Sequence, residues 1–423
     1  MKNTNYKKII ISLIIILSLV LPVLATNTIK AQAASKKTVR VATEKQLKSA
    51  LKNSKVGTII LRTQTYNAIT INSKKAKKKN IIIDAPNAVV TNKSKFKSIE
   101  LQNAAKYIEA VSGNTITTTA AYLLEVAEGC SVKKLTMPYL MPEYIIRKGA
   151  SIKSIVLKNL MHISSFDKKT GTLAFETTGI WTSYDDDLYY DDGGDDVISV
   201  EYIDSYTAIL DKCGRTLSYN HMGWQFDYSY EYKYDEDGNC LECKTTNEEN
   251  GLLETTIYYD YDDSNNKVSE NYEHSYHPYD YGVKYIYDKK GRLSNEISSS
   301  DNYSEETEFN YDKKGRVIGE KTNKFWYEAD GRLSSRKSWV TENEYDKNGN
   351  LIKSSIEYDE GFSYNYTYEY DKDGNLVYYK YILDDKGMES SFEYKYEYDE
   401  YGKQKEGFYK YEDEWYSMVD YAG

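Results

Sequence analysis

One seven-residue unit, Tyr-Asp-x-x-Gly-[Asn/Arg]-apolar, recurs through the second half of the chain and limits what that half can fold into. Full copies start at Tyr287, Tyr311, Tyr345 and Tyr370, with looser copies at Leu210, Tyr234, Tyr261, Tyr327, Leu383 and Tyr398. Each reads as a strand reversal. The aspartate side chain bonds the backbone ahead of it, two polar residues make a type I turn, and glycine takes the positive φ that closes a bulged hairpin. In the Tyr261 copy Asn265 replaces the glycine, and asparagine is the side chain that best tolerates that conformation. Copies from Leu210 to Tyr311 lie 24, 27, 26 and 24 residues apart, whereas the later spacings of 16, 18, 25, 13 and 15 lose this regularity.

The strands leading into the turns alternate. Tyr228, Tyr230, Tyr232 and Tyr234 fall on one face with Ser229, Glu231 and Lys233 on the other, and Tyr364, Tyr366, Tyr368 and Tyr370 do the same against Asn365, Thr367 and Glu369. Tyr394, Tyr396 and Tyr398 repeat it. Residues 201–423 hold 36 tyrosines but only 28 Ile, Leu, Val and Met, too few for an aliphatic core. The rings must supply the packing, and each keeps a hydroxyl that needs a partner, so a half-wet aromatic face opposite a charged one is expected.

This array resembles the YD (Rhs-type) repeats over about residues 210–405. The resemblance implies long β-sheets that wind into shells around toxins or stand as extracellular, often carbohydrate-associated, surfaces. The copies here are too few to enclose a cargo, and no toxin domain follows Tyr398 in this sequence. The stretch from Phe408 to Tyr416 is also similar to the aromatic hairpins of choline- and glucan-binding repeats.

The first half is different in charge and in pattern. Residues 34–170 carry 25 Lys and Arg against 8 Asp and Glu, a net +17, while residues 171–423 carry 26 against 57, a net -31. Two domains of opposite field are the simplest reading. The net charge of -10 over the whole chain argues against nucleic acid as a partner, since phosphates would be repelled. Thr43-Glu44-Lys45-Gln46 has capping-box spacing, with Leu47, Ala50 and Leu51 as an apolar stripe and Gly57 ending the helical segment. After it come short β-branched runs, including Thr58–Leu61, Ala68–Ile71, Ile81–Ile83, Ala88–Val90, Ser98–Leu101, Ile145–Ile146 and Ser154–Leu157, separated by polar turns. Strands this short, without hairpin-type Asn-Gly turns, suit a solenoid of stacked coils, with an irregular β-sandwich as the alternative. The stretch resembles the secreted right-handed β-helix surface proteins of Gram-positive bacteria, whose coils often begin with a capping helix.

Residues 1–33 run from Lys2, Lys7 and Lys8 through the apolar stretch Ile9 to Leu24 into Ala31-Gln32-Ala33, the order of a secretory signal cleaved after Ala33. A retained membrane anchor is the alternative. The first cysteine is Cys130, so no acylatable thiol lies near the cleavage point. The expected organisation is a signal peptide over 1–33, a β-helix-like domain over 34–165, an acidic junction over 166–200 and a hairpin array over 201–423. The fold class is therefore all-β: a short right-handed parallel β-helix followed by an antiparallel tyrosine-rich sheet.

Candidate sites follow from residue type and spacing. Lys74, Lys75, Lys77, Lys78 and Lys79 form a basic knot that reads either as a solvated loop or as an attachment point for anionic wall polymers. Asp185, Asp187, Asp191 and Asp195 belong to a run of seven aspartates in twelve residues, which reads as an acidic linker or a weak calcium site lacking the EF-type alternation. Cys240 with Cys243, and His274 with His277, invite a zinc reading, but residues three apart on a strand point to opposite faces. Cys130 and Cys213 are candidate disulfide partners. Glycan cleavage needs facing carboxyl groups or acidic metal ligands, and residues 34–170 offer only Asp84, Asp167 and six scattered glutamates.

Together these features point to a secreted, non-enzymatic surface protein that needs no cofactor and binds a glycan or wall polymer. Contacts are expected through Tyr228, Tyr230, Tyr232, Tyr364, Tyr366, Tyr368, Tyr394 and Tyr396. The alternative is a structural spacer or self-associating surface layer with the tyrosine face buried against another copy. A polysaccharide-cleaving β-helix is the third reading.

Overall fold

A computed structural model of the chain describes residues 36–118, 124–137, 144–157, 162–167, 172–184, 197–222, 227–248, 251–275, 281–411 and 413–418. They form an 11-stranded parallel sheet within residues 37–157 and a 19-stranded antiparallel sheet within residues 162–417. The expected all-β class, parallel coils followed by antiparallel hairpins, is what the chain adopts.

In the first half, β-branched residues recur once per coil and stack. Val39, Ile59, Ile81, Ile99, Ile116, Leu135 and Ile155 pair in register along one ladder, with successive partners 17 to 22 residues apart. Ile69, Val90, Tyr107 and Leu124 make a second ladder. Ile59, Ile83, Val90 and Ile116 are fully buried between the ladders, and each such side chain contributes about 1.5–3 kcal/mol by leaving water. The capping box forms as expected: the Thr43 hydroxyl accepts the Gln46 N–H at 3.2 Å, and the Gln46 amide oxygen accepts the Thr43 N–H at 3.1 Å. The helix Glu44–Lys52 buries Leu47, Ala50 and Leu51 over the start of the coils. It stops at Asn53, short of Gly57, because the Asn53 N–H turns back to Ser49 and Ala50 while Gly57 has already joined the strand Val56–Arg62.

A buried polar cluster of Asn92, Ser94, Glu109 and Asn114 lies inside the coils. Glu109 stacks on Asn92, fully buried, and accepts hydrogen bonds from the Tyr107 hydroxyl at 2.6 Å, Asn114 at 2.7 Å and Asn92 at 3.0 Å. Burial pushes its carboxyl up to about 7 against the pull of these three donors.

The antiparallel sheet follows chain order from strand to strand. It begins earlier than the charge break suggests, since His162–Asp167, Thr172–Tyr184 and Val197–Leu210 are all strands of it. Much of the stretch 166–200 is therefore sheet rather than linker. The alternation Leu173, Phe175, Thr177 carries the strand signal there, beside an aspartate run that dominates the composition. Asp185, Asp187, Asp191 and Asp195 lie outside the described residues.

The repeated unit builds every second turn as read from sequence. In the Tyr287 copy, the Asp288 carboxylate accepts the backbone N–H groups of Lys290 at 2.8 Å and Arg292 at 3.0 Å and pairs with the Arg292 guanidinium at 2.7 Å. Those bonds, with Arg292 first, hold the Asp288 carboxyl down at about 2. Gly291 sits at φ +72°, and Asn265 takes the same left-handed region at φ 62°. The turns opening at Asp211, Asp235, Asp262, Asp288, Asp312, Asp346, Asp371 and Asp399 share one edge of the sheet, whereas the copies at Tyr327 and Leu383 turn at the other edge. This explains the irregular later spacings. Along the shared edge, the steps from Tyr311 to Tyr345, Tyr370 and Tyr398 are 34, 25 and 28 residues.

Both ends of that edge abut the coils, in reverse order. At the C-terminal coils, the Ile152 N–H donates to the Cys213 carbonyl at 2.8 Å, the Tyr144 hydroxyl donates to the Gly214 carbonyl at 2.7 Å, and Ala208 and Leu210 join the coil core. At the N-terminal coils, Thr65 donates to the Asn348 carbonyl at 2.8 Å, Arg40 to Asn375 at 2.7 Å and Arg62 to the Tyr401 carbonyl at 2.9 Å. Between them, a side chain at Gly291 would meet nothing within 4 Å and one at Gly315 only Arg292. The sheet thus arches over the solenoid, touching it at both ends, and the turn at Asp211 covers the strand Ser151–Ile152, whose backbone would otherwise be an open edge.

Candidate functional site

Register sets which tyrosines meet. Tyr368, Tyr379, Tyr394, Tyr409 and Tyr416 lie directly opposite one another across five strands. Tyr366, Tyr381 and Phe392 form the next column, and Trp339 with Tyr358 extends the face. The rings interlock: Tyr358 stacks on Phe362 at 4.2 Å, Tyr381 on Phe392 at 4.6 Å, Tyr379 on Tyr394 at 5.7 Å and Tyr364 on Tyr366 at 6.2 Å. Such offset pairs add about 0.5–1.5 kcal/mol each beyond area burial. The opposite face carries Asn365, Thr367, Glu369 and Lys395, all exposed.

Among the described residues the platform is one layer thick. Each strand of the antiparallel sheet makes its main contacts with its neighbours in the strand order, and among the described residues the buried apolar cluster comprises coil residues with Ala208 and Leu210. Phe392 is 41% exposed and Tyr416 40%. Toward the turn edge the face closes: Tyr66 from the coils packs edge-on to Tyr345 at 5.3 Å, and burial pushes the Tyr368 phenol up to about 12. The open part therefore runs away from the solenoid, past Tyr366 and Tyr364.

The tyrosines of the repeat unit itself do a different job. Tyr234, Tyr287, Tyr311, Tyr345 and Tyr398 each donate a hydroxyl to the carbonyl at the start of the preceding strand, at 2.9, 2.8, 2.6, 2.7 and 2.8 Å. Arg215, Arg292 and Arg316 lie 5.1, 4.4 and 4.5 Å over the Tyr234, Tyr311 and Tyr345 rings of the next turn. Tyrosine, aspartate and arginine thus chain one turn to the next, which makes these positions architectural.

Of the sequence-predicted contact residues, the structure gathers Tyr364, Tyr366, Tyr368, Tyr394 and Tyr396 on the platform, with Tyr396 opposite Gly407. Tyr228, Tyr230 and Tyr232 lie on a strand ten places earlier, where Tyr230 packs at 6.0 Å from Tyr219 and Tyr232 sits opposite Cys243. Sequence reading misses Tyr379, Tyr381, Phe392, Tyr358 and Trp339. Tyr379 and Tyr381 do alternate, but the adjacent Tyr378 points to the other face and donates to Glu393 at 3.0 Å, which hides the period.

The lysine knot divides. Lys74, Lys75, Lys77 and Lys78 are exposed, but Lys79 is buried and donates to the Asn53 and Val56 carbonyls at 2.6 and 2.7 Å, so it is a strut and not a polymer contact. Cys240 and Cys243 share a face after all. Tyr234 pairs with Cys240 and Tyr232 with Cys243, because a bulge at this point inserts one extra residue. Among the described residues no group of three His, Cys, Asp or Glu could hold a metal, and His277 lies outside them. Cys130 and Cys213 do not approach. The strand Ser151–Ile152 lies between them, accepted by Cys130 on one side and Cys213 on the other, which separates them by two ladder steps, roughly 10 Å.

No protein-family model matches the sequence, and no curated protein matches it. Among solved structures the chain is similar to one titled TcdB2-TccC3, with 11% identity, a TM-score of 0.28, 59% of this chain covered and 16% of that one. It is also similar to a porin-like protein from Bacteroides uniformis, with 10% identity, a TM-score of 0.26, 46% of this chain covered and 88% of that one. The chain thus spans about a sixth of the length of the first.

Proposed function

We propose that this chain is an exported, non-enzymatic adhesion protein that binds cell-surface or cell-wall glycan through the aromatic platform between Trp339 and Tyr416. One observation carries the reading: stacked rings in register form an uncovered face on a single-layer sheet. Sugar rings stack their C–H faces on such surfaces while phenol hydroxyls bond the sugar rim. The non-enzymatic part is supported by how three carboxylates of the coils are spent. Asp84 is held by Arg62 at 2.7 Å, Glu125 by Lys106 at 2.8 Å and Arg147 at 3.2 Å, and Glu109 is enclosed.

The test is retention of the intact chain on a panel of insoluble glycans. Replacing Tyr366 and Tyr381 by alanine should weaken retention by about fivefold per ring, as each lost stack costs about 1 kcal/mol, while Tyr378→Ala on the other face should leave it unchanged. A self-associating spacer is the second reading, favoured by the exposed apolar rings Phe392, Tyr411 and Tyr416 near the last strand. Oligomers without glycan retention would select it.

A further inference from the structure

The lysine-rich segment is not a loose loop. Lys74–Lys78 forms a 3-10 turn pinned by fully buried Ala76, with the Ser73 hydroxyl accepting the Lys75 N–H at 3.2 Å. Lys79 then ties the segment to the chain that leaves the helix, through its two bonds to Asn53 and Val56. Between these pieces lies a cavity of about 420 Å3 whose rim is Lys36, Lys52, Lys74, Lys75, Lys77 and Lys78, with no acidic residue in its lining among the described residues. None of these six has an ion-pair partner among the described residues; the one acid on the neighbouring helix, Glu44, is paired with Lys48 at 2.7 Å. Folding therefore brings six lysines around one hollow with no ion-pair partner among the described residues. An anion entering the hollow would meet positive charge from several sides.

We propose that this cavity, at the N-terminal end of the solenoid, is a binding site for a single-stranded phosphate-bearing polyanion. Lysines lining the cavity from several sides as mobile point charges suit the tetrahedral oxygens of phosphate, and the planar arginine fork, which grips carboxylate and phosphate alike, is absent from the lining. The volume lies in the range of small-ligand pockets and admits one polymer chain, not a duplex. The cavity lining contains no residue of the aromatic platform, so either site can fail without the other.

Binding of linear inorganic polyphosphate to the intact chain tests it, with polygalacturonate and duplex DNA as parallel probes, at low and high salt. Polyphosphate should bind, and should weaken by about tenfold as salt screens the site. The variant carrying Lys52→Gln, Lys75→Gln, Lys77→Gln and Lys78→Gln should lose at least about tenfold in affinity at an unchanged unfolding midpoint. Because these positions are exposed, the fold should survive; should it not, protection of Lys75, Lys77 and Lys78 from acetylation by polyphosphate in the unaltered protein reads the same site. Unchanged affinity in the variant, or no protection, would overturn the proposal. Equal affinity for polygalacturonate would overturn the phosphate assignment, and equal affinity for duplex DNA would overturn the single-chain geometry.

Discussion

The Tyr311 hydroxyl donates to the Leu293 carbonyl at 2.6 Å, joining the last residue of one strand to the first residue of the strand before it. The same ring lies under the Arg292 guanidinium at 4.4 Å, and Arg292 is held in turn by Asp288. A single phenol therefore connects two successive turns, and the aspartate fixes the arginine that covers it. Repeated along the edge, this linkage stabilises a sheet that, among the described residues, has no second layer to pack against.

Tyr311→Phe should cost about 1 kcal/mol, because it keeps the ring under Arg292 and removes only the hydroxyl bond. Tyr311→Ala should cost distinctly more, since the cation loses its ring as well. Denaturant unfolding would measure both. Equal losses for the two variants would show that the ring contributes nothing.

Gly238 and Gly291 both sit at positive φ, +87° and +72°, in equivalent turns, but only one is docked. A side chain at Gly238 would collide with the Ile146 carbonyl, whereas one at Gly291 meets open space. Gly291→Ala should cost about 1–2 kcal/mol from the backbone alone, and Gly238→Ala should add about 1–3 kcal/mol of overpacking. Equal destabilisation would mean that the turn edge does not rest on the coils.

Glu109 gives the coils a pH dependence. Its carboxyl titrates at about 7 when folded, against an ordinary value of 4.5. Between these values the folded protein holds a proton that the unfolded chain has released, so stability falls as pH rises through this window, by a group contribution of about 3 kcal/mol in order of magnitude. Below 4.5 that contribution is fully present; above 7 it is gone. Glu109→Gln should flatten the profile between pH 4.5 and 7, measured by unfolding midpoints, and an unchanged slope would assign the dependence elsewhere.

Cys130 and Cys213 should remain unlinked even in an oxidising environment, because the strand Ser151–Ile152 separates them. Peptide mapping under non-reducing conditions checks this. A linked pair would mean that the first turn of the array is not docked on the last coil.

Much of this architecture was legible in the residues, because turn chemistry and period-two alternation are local. Asp288 and Gly291 announce a turn without any tertiary information, and Thr43 with Gln46 announces a helix start. What stayed hidden depends on long-range placement. Nothing near Lys79 signals that its amine would be consumed by the Asn53 and Val56 carbonyls. The bulge that brings Cys240 and Cys243 to one face depends on pairing with Lys233 and Tyr234. The platform itself needs the register between strands, which places Tyr381 beside Phe392, a pair that no count of tyrosines singles out.

Hydroxyl-radical footprinting of the intact chain, with and without a retained glycan, tests the aromatic platform most directly. Protection of Tyr364, Tyr366, Tyr381, Phe392 and Tyr394, with Tyr378 on the reverse face unaffected, is the predicted result. Protection confined to the reverse face, or no change on any of these rings while glycan is bound, would contradict it.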